Sequence, residues 1–205
     1  MILILAAVLL TVAHYHGRLP SLSPRLEIFG WVALSFALFF VVPALVIRFG
    51  FGEALSAYGL RLGESRAFSR EIAAGGAFIV AAAAFASRFP ALHQGVPRYR
   101  AVLDEPWLLV PLLLAWAVYS FAWEFFFRGF LLFGLGRRLG VTAVFVQLVP
   151  FVMAHYPKSE IETLGSIVAG VALGLATWRW RSMLGAWVLH WLLAASINVF
   201  VVLWR

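Results

Sequence analysis

The stretch PWLLVPLLLAWAVYSFAWEFFFRGFLLFGLGRR, residues 106–138, decides the fold class of this chain. Before it reaches the pair Arg137 and Arg138, its only charged side chains are Glu124 and Arg128. About 20 consecutive apolar residues are enough for a helix to cross the hydrocarbon core of a bilayer. The stretch therefore predicts a membrane-spanning helix whose apolar pattern continues past an embedded acid and base.

The composition of the whole chain agrees with a membrane protein. Of its 205 residues, 63% are hydrophobic and only 12% are charged, whereas about a quarter of the residues in a soluble domain are charged. This excludes a soluble enzyme, a disordered tail and a coiled coil. The net charge is +7, but the basic residues lie in short gaps between apolar runs, so we expect a lipid bilayer and no nucleic acid as partner. Cysteine is absent, which excludes disulfides, a thiol nucleophile and zinc bound by cysteine.

Apolar runs divide the chain into about seven predicted helices, so we expect an all-α polytopic membrane protein that forms a single transmembrane domain over residues 1–205. A polar loop with short surface helices is predicted for residues 48–71. The aromatic residues 125–133 are expected to face lipid or to pack. Gly170 and Gly174 have the spacing that lets two helices approach closely. The predicted helices are residues 2–13, 28–47, 72–87, 106–135, 139–154, 164–178 and 182–204.

Four ionisable side chains lie within or at the ends of these runs: Glu124, Arg128, His155 and His190. An ionisable group inside a bilayer costs a few kcal/mol or more, which makes each of them a functional candidate. Glu124 and Arg128 are four residues apart, on one helical face, and can pair. A structural ion pair and hydrogen-bonded core histidines are the alternative interpretation of the same residues.

The spacing of the candidates from the basic turns indicates one shared site. Glu124 lies 14 residues before Arg138 and His155 lies 17 residues after it, so both are roughly 21–25 Å from that surface at the rise of an α-helix. His190 is nine residues after Arg181, at a shallower depth of roughly 13 Å. A tilted helix or a re-entrant start must close this difference. A carboxylate and two imidazoles in one buried site can activate water.

The same residues resemble the CPBP family of intramembrane proteases, which includes the CAAX-prenyl endopeptidases and the Abi proteins. Glu124-Phe-Phe-Phe-Arg128-Gly129 is similar to the motif Glu-Glu-x-x-x-Arg of that family. Phe151-Val-Met-Ala-His155 is similar to Phe-x-x-x-His, and His190 to the first residue of His-x-x-x-(Asn or apolar). The resemblance covers about residues 107–200, so residues 1–105 are expected to be variable leading helices and loops and residues 106–205 the catalytic core.

The resemblance implies hydrolysis of a peptide bond by a glutamate-activated water, in a protease of the glutamic type that was formerly called metallo. It implies catalytic roles for Glu124, His155 and His190, with Arg128 in support. In this family the first Glu of the pair is the favoured base, and here that position is Trp123. The family amide that helps to bind the oxyanion is replaced by Ala194. Asn198, two turns beyond His190, is the candidate to replace it or else a packing residue.

No cofactor is expected, although a divalent metal bound by Glu124, His155 and His190 is an alternative. The zinc signature His-Glu-x-x-His is absent from the sequence. The expected partners are the lipid bilayer and a membrane-anchored protein or peptide substrate, and the expected location is a bacterial inner membrane. Water and substrate are expected to enter from the side that bears Arg98, Arg100 and Lys158.

Two other functions fit the same sequence. The first is an inactive relative, a membrane scaffold or immunity-type protein, in which Trp123 has abolished proteolysis. The second is a small transporter in which the buried Glu, Arg and His side chains form a relay.

Overall fold

The structure is a computed structural model that describes residues 1–17, 24–63, 68–89, 96 and 100–204. Arg98, expected on the access side, lies outside the described residues. All regular secondary structure in the described part of the chain is helical, which confirms the predicted all-α class. The α-helices are α1 Ile2–His16, α2 Pro24–Phe36, α3 Phe68–Ala86, α4 Leu109–Glu124, α5 Leu132–Leu139, α6 Ala143–Met153, α7 Glu160–Trp180 and α8 Leu184–Leu203.

Wider π-helical turns extend two of these helices. After α2 the chain continues through Ala37–Val41, the α-helical turn Val42–Leu45 and Val46–Gly50. The helix α4 passes directly into the π-helical segment Phe125–Leu131, which joins it to α5. Segments of this kind inside α-helices are often found at functional sites. The remaining short turns are 3₁₀-helical, at Leu55–Tyr58, Arg100–Leu103, Pro106–Leu108 and Gly140–Thr142.

Five helical stretches in the described residues are long and apolar enough to cross a membrane. The third of them reverses direction at Gly140, where φ is +57°, so α4 to α5 and α6 form a hairpin. With the shorter α1, these stretches correspond to the seven predicted helices, and the protein is an integral membrane protein. The five stretches are Glu27–Gly50, Phe68–Ala86, Pro106–Met153, Glu160–Trp180 and Leu184–Leu203.

The core lies around the π-helical segment. Phe125, Phe126, Phe127 and Phe130 are all fully buried, so these rings pack inside the bundle and do not face lipid. The extension of α2 covers them through Phe39, whose ring centroid is 5.0 Å from that of Phe126. Burying four aromatic rings contributes several kcal/mol to the stability of the element that carries Arg128.

The predicted close approach at Gly170 and Gly174 is confirmed. A Cβ atom added to Gly170 would lie 2.4 Å from Leu148 Cδ1, and one added to Gly174 would lie 2.8 Å from Val144 Cγ1. Both contacts are with α6, so the missing side chains let α7 pack directly on the helix that precedes His155.

The predicted surface loop folds partly into the bundle. Tyr58 is only 1% exposed, and its carbonyl oxygen would be 3.1 Å from a Cβ atom added to Gly129. The next residue, Gly59, accepts a hydrogen bond from the Met183 amide at 3.0 Å. We call residues 53–61 the inserted segment. Its hydrogen bond with Met183 attaches it to the residue that immediately precedes α8.

Candidate active site

Glu124 is the last residue of α4 and has no solvent exposure. One of its carboxylate oxygens, Oε1, accepts hydrogen bonds from Arg128 Nη1 at 3.1 Å and from His190 Nδ1 at 2.6 Å. No described residue is hydrogen-bonded to the other oxygen, Oε2, although it is buried. The carboxylate therefore has one oxygen that accepts from two basic groups and one that has no hydrogen-bond partner among the described residues.

Arg128 is fully buried beside this carboxylate. Its Cζ atom lies 4.0 Å from the centre of the Phe151 ring, so a cation–π contact with α6 supports the guanidinium from one face. Arg128 lies four residues after Glu124, which places both side chains on the same face of the helix, as the sequence predicted. The next residue, Gly129, has no side chain, and this allows the inserted segment to pack against the π-helical turn.

His190 completes this cluster from α8. Its side chain is 19% exposed, whereas that of Glu124 is fully buried. The contact joins residues 66 positions apart, and it depends on how α8 packs against α4. The imidazole is therefore the partly exposed group that contacts the buried carboxylate.

His155 approaches the cluster from the turn that follows α6. Its Nδ1 lies 2.8 Å from the Phe151 carbonyl oxygen, so Nδ1 carries the proton that it donates and Nε2 is left as an acceptor. Burial lowers the pKa of His155 to about 4, and the charge of Lys158 acts in the same direction. His155 is therefore a neutral imidazole near neutral pH.

Trp123 lies between His155 and the aromatic core. Its ring centroid is 5.8 Å from that of His155 and 5.6 Å from that of Phe39. Its indole Nε1 is buried and has no hydrogen-bond partner among the described residues. The position at which the resembled family has its first glutamate is thus filled by an aromatic ring that packs against His155.

The structure brings Glu124, Arg128 and His190 into direct contact and places His155 beside them, across the rings of Trp123 and Phe151. No hydrogen bond joins Asn198 to these residues in the described part of the chain, and its Oδ1 is buried without a partner there. Asn198 lies eight residues beyond His190, about 12 Å along α8, and its Nδ2 donates to the Ala194 carbonyl oxygen at 2.7 Å.

No group of three or more His, Asp or Glu side chains in the described part of the chain is placed to hold a metal ion. The carboxylate and His190 are hydrogen-bonded to each other, and Nδ1 of His155 is hydrogen-bonded to the backbone.

Phe151 has two contacts that sequence reasoning did not assign to it. Its ring supports Arg128, and its carbonyl oxygen holds the His155 imidazole. The signal was present in the spacing Phe-x-x-x-His, because residues four apart on a helix are neighbours. The inserted segment carries no comparable signal, since nothing local in residues 53–61 indicates that Tyr58 is buried.

An all-helical membrane bundle that encloses a carboxylate, a guanidinium and an imidazole defines a membrane protein with an internal polar site. Residues 105–196 match the family described as type II CAAX prenyl endopeptidase, Rce1-like. The matched segment contains Glu124, Arg128, His155 and His190, and the match confirms the resemblance found in the motifs. No curated protein and no solved structure matches the chain.

Proposed function

We propose that the protein is an intramembrane endopeptidase that hydrolyses a peptide bond of a membrane-anchored protein or peptide, using a water activated by Glu124. The observation that carries this proposal is the asymmetry of the Glu124 carboxylate. Arg128 and His190 are hydrogen-bonded to one oxygen, and the other is buried without a hydrogen-bond partner among the described residues. A general base needs such an oxygen within reach of the water that it deprotonates.

The proposed hydrolysis uses Glu124 first as a general base and then as a general acid. Glu124 takes a proton from water while the water oxygen forms a bond to the carbonyl carbon of the substrate, and the carbonyl electron pair moves onto its oxygen. The tetrahedral intermediate then collapses, the carbon–nitrogen bond breaks, and Glu124 returns the proton to the leaving nitrogen. The products are a carboxylic acid and an amine. His155 Nε2 is an acceptor that orients the water, and His190 holds the carboxylate in place.

We assign the protein to the bacterial inner membrane, with a substrate that reaches the site from the bilayer. The name of the matched family includes prenyl endopeptidase, so a peptide with a prenylated cysteine in a C-terminal C-a-a-X sequence is the first substrate to test. We expect no metal requirement, because a water that is deprotonated by the Glu124 carboxylate needs no metal ion to activate it.

The test is cleavage of this fluorogenic prenylated peptide by the purified protein in lipid nanodiscs. Glu124→Gln should abolish turnover and leave the protein folded, because the amide cannot accept the proton. Glu71→Gln is the matched control, since Glu71 also pairs with an arginine, Arg179, but lies near the surface. Turnover that persists in Glu124→Gln would refute the assignment of the base.

An inactive relative is the second candidate, and Trp123 favours it. The ring at that position packs against Phe127 as well as His155, so no carboxylate stands where the resembled family has its first glutamate. The same assay separates the two functions, because an inactive scaffold leaves the peptide intact in the wild type and in Glu124→Gln alike.

A further inference from the structure

Arg128 has more hydrogen-bond donors than its neighbours use. Its Nη1 donates to Glu124, but Nε and Nη2 are buried and have no partner among the described residues. A buried charged group without its hydrogen bonds is costly. A guanidinium that served only to neutralise Glu124 would be expected to use both prongs of its fork on the carboxylate. The second terminal nitrogen, Nη2, is instead left without an acceptor among the described residues.

The covalent geometry of the guanidinium limits the position of Nη2. The two Nη atoms of an arginine are held in a rigid plane about 2.3 Å apart. Because Nη1 is 3.1 Å from Glu124 Oε1, Nη2 lies within about 5.5 Å of that oxygen. The ring of Phe151 covers one face of the guanidinium and so restricts its rotation. A group that accepts a hydrogen bond from Nη2 is therefore within reach of a water held by Glu124 Oε2.

We propose that Arg128 is a catalytic residue that donates through Nη2 to the oxyanion of the tetrahedral intermediate. This inference rests on the proposed function and names the group that stabilises its developing charge. The charge moves from the scissile carbonyl bond onto the carbonyl oxygen when water attacks, and returns when the carbon–nitrogen bond breaks. A buried cationic donor that is already in position stabilises this charge without reorganisation.

The other candidate donors are less suitable. The Asn198 amide is engaged with Ala194 and lies about two helical turns from His190. The Nδ1 proton of His155 is directed to the Phe151 carbonyl oxygen. The indole Nε1 of Trp123 has no hydrogen-bond partner among the described residues, but the ring packs between Phe39 and His155. Trp123 is therefore the competing donor in the test.

The experiment compares turnover with binding of a transition-state mimic. The probes are the prenylated C-a-a-X peptide and its phosphonate analogue, whose tetrahedral phosphorus carries an oxygen at the oxyanion position. Arg128→Lys keeps the positive charge beside Glu124 but removes the second donor, Nη2. We expect kcat to fall by about 10²–10³-fold, as for the loss of one oxyanion donor, with KM within about threefold. The phosphonate should bind more weakly by a similar factor.

Arg179→Lys is the matched control, because this arginine also pairs with a glutamate, Glu71, but near the surface. It should change neither kcat nor phosphonate binding. Thermal melting of each variant separates a folding defect from a catalytic one. If Arg128→Lys does not fold, Phe151→Leu replaces it, since this change removes the ring that holds the guanidinium and should lower kcat about tenfold at constant KM.

The outcomes separate the two proposals. Loss of turnover in Glu124→Gln with normal kcat and phosphonate affinity in Arg128→Lys would overturn the role of Arg128 and leave the proposed function standing. A loss that follows Trp123→Phe and not Arg128→Lys would assign the oxyanion to the indole. A wild-type protein that neither cleaves the peptide nor binds the phosphonate more tightly than the peptide contradicts both proposals.

Discussion

Replacement of Gly59 by alanine tests whether the inserted segment sets the position of α8. The backbone of Gly59 has a left-handed φ of +79°, which costs a residue with a side chain about 1–2 kcal/mol. The added Cβ would also lie 2.4 Å from Phe133 Cε2 and 3.1 Å from the Met183 amide nitrogen. Overpacking of this kind costs typically about 1–3 kcal/mol, so Gly59→Ala should lower the free energy of unfolding by about 2–5 kcal/mol.

Gly52→Ala is the matched control for the backbone contribution. Gly52 also has a positive φ, +68°, but a Cβ atom there would have nothing within 4 Å among the described residues. This variant should lose only about 1–2 kcal/mol. Equilibrium unfolding in mixed micelles, followed by tryptophan fluorescence, measures both values. The difference between them isolates the contact with Phe133 and Met183.

The same substitution should also disturb the site, because the Met183 amide donates to the Gly59 carbonyl oxygen immediately before α8 begins. A shift of α8 lengthens the 2.6 Å contact between His190 and Glu124. We therefore expect Gly59→Ala to lower peptide cleavage more than Gly52→Ala does. Equal unfolding free energies for the two variants would refute the reasoning, since they would show that residues 53–61 do not brace the helix.

Two further predictions concern stability. His155 has its pKa lowered to about 4 in the folded protein, so the unfolded chain binds more protons between that pH and about 6.5. The stability of the wild type relative to His155→Gln should be complete above pH 6.5 and should decrease by about 1–3 kcal/mol as the pH falls to 4. Unfolding curves from pH 4 to 8 test this, and a difference that does not vary with pH would contradict it. On α7, Gly170→Ala should be destabilising because its Cβ meets Leu148 and Phe151. Gly165→Ala, with nothing within 4 Å among the described residues, should gain up to about 1 kcal/mol from helix propensity. Thermal melting compares the two, and the opposite order would show that α6 and α7 do not pack closely at Gly170.

Features that depend on a single helix were predictable from the sequence. The apolar length of residues 106–138, the pairing of Glu124 with Arg128 and the close approach at Gly170 all follow from helical geometry and transfer free energies. The burial of Phe125, Phe126 and Phe127 was left open between lipid and core. Lipid and protein interior are similarly apolar, so composition alone does not distinguish them.

The all-α membrane class and the set of ionisable candidates can be read from the amino-acid sequence alone, because the cost of placing a charge in hydrocarbon is a local property of each residue. Which of these candidates contact one another depends on how the helices pack. His190 contacts Glu124 because α8 packs against α4, whereas the Asn198 amide is hydrogen-bonded to Ala194 on its own helix. Contacts of this kind depend on how separate helices pack, and no periodicity within one helix encodes the depth at which its neighbour begins.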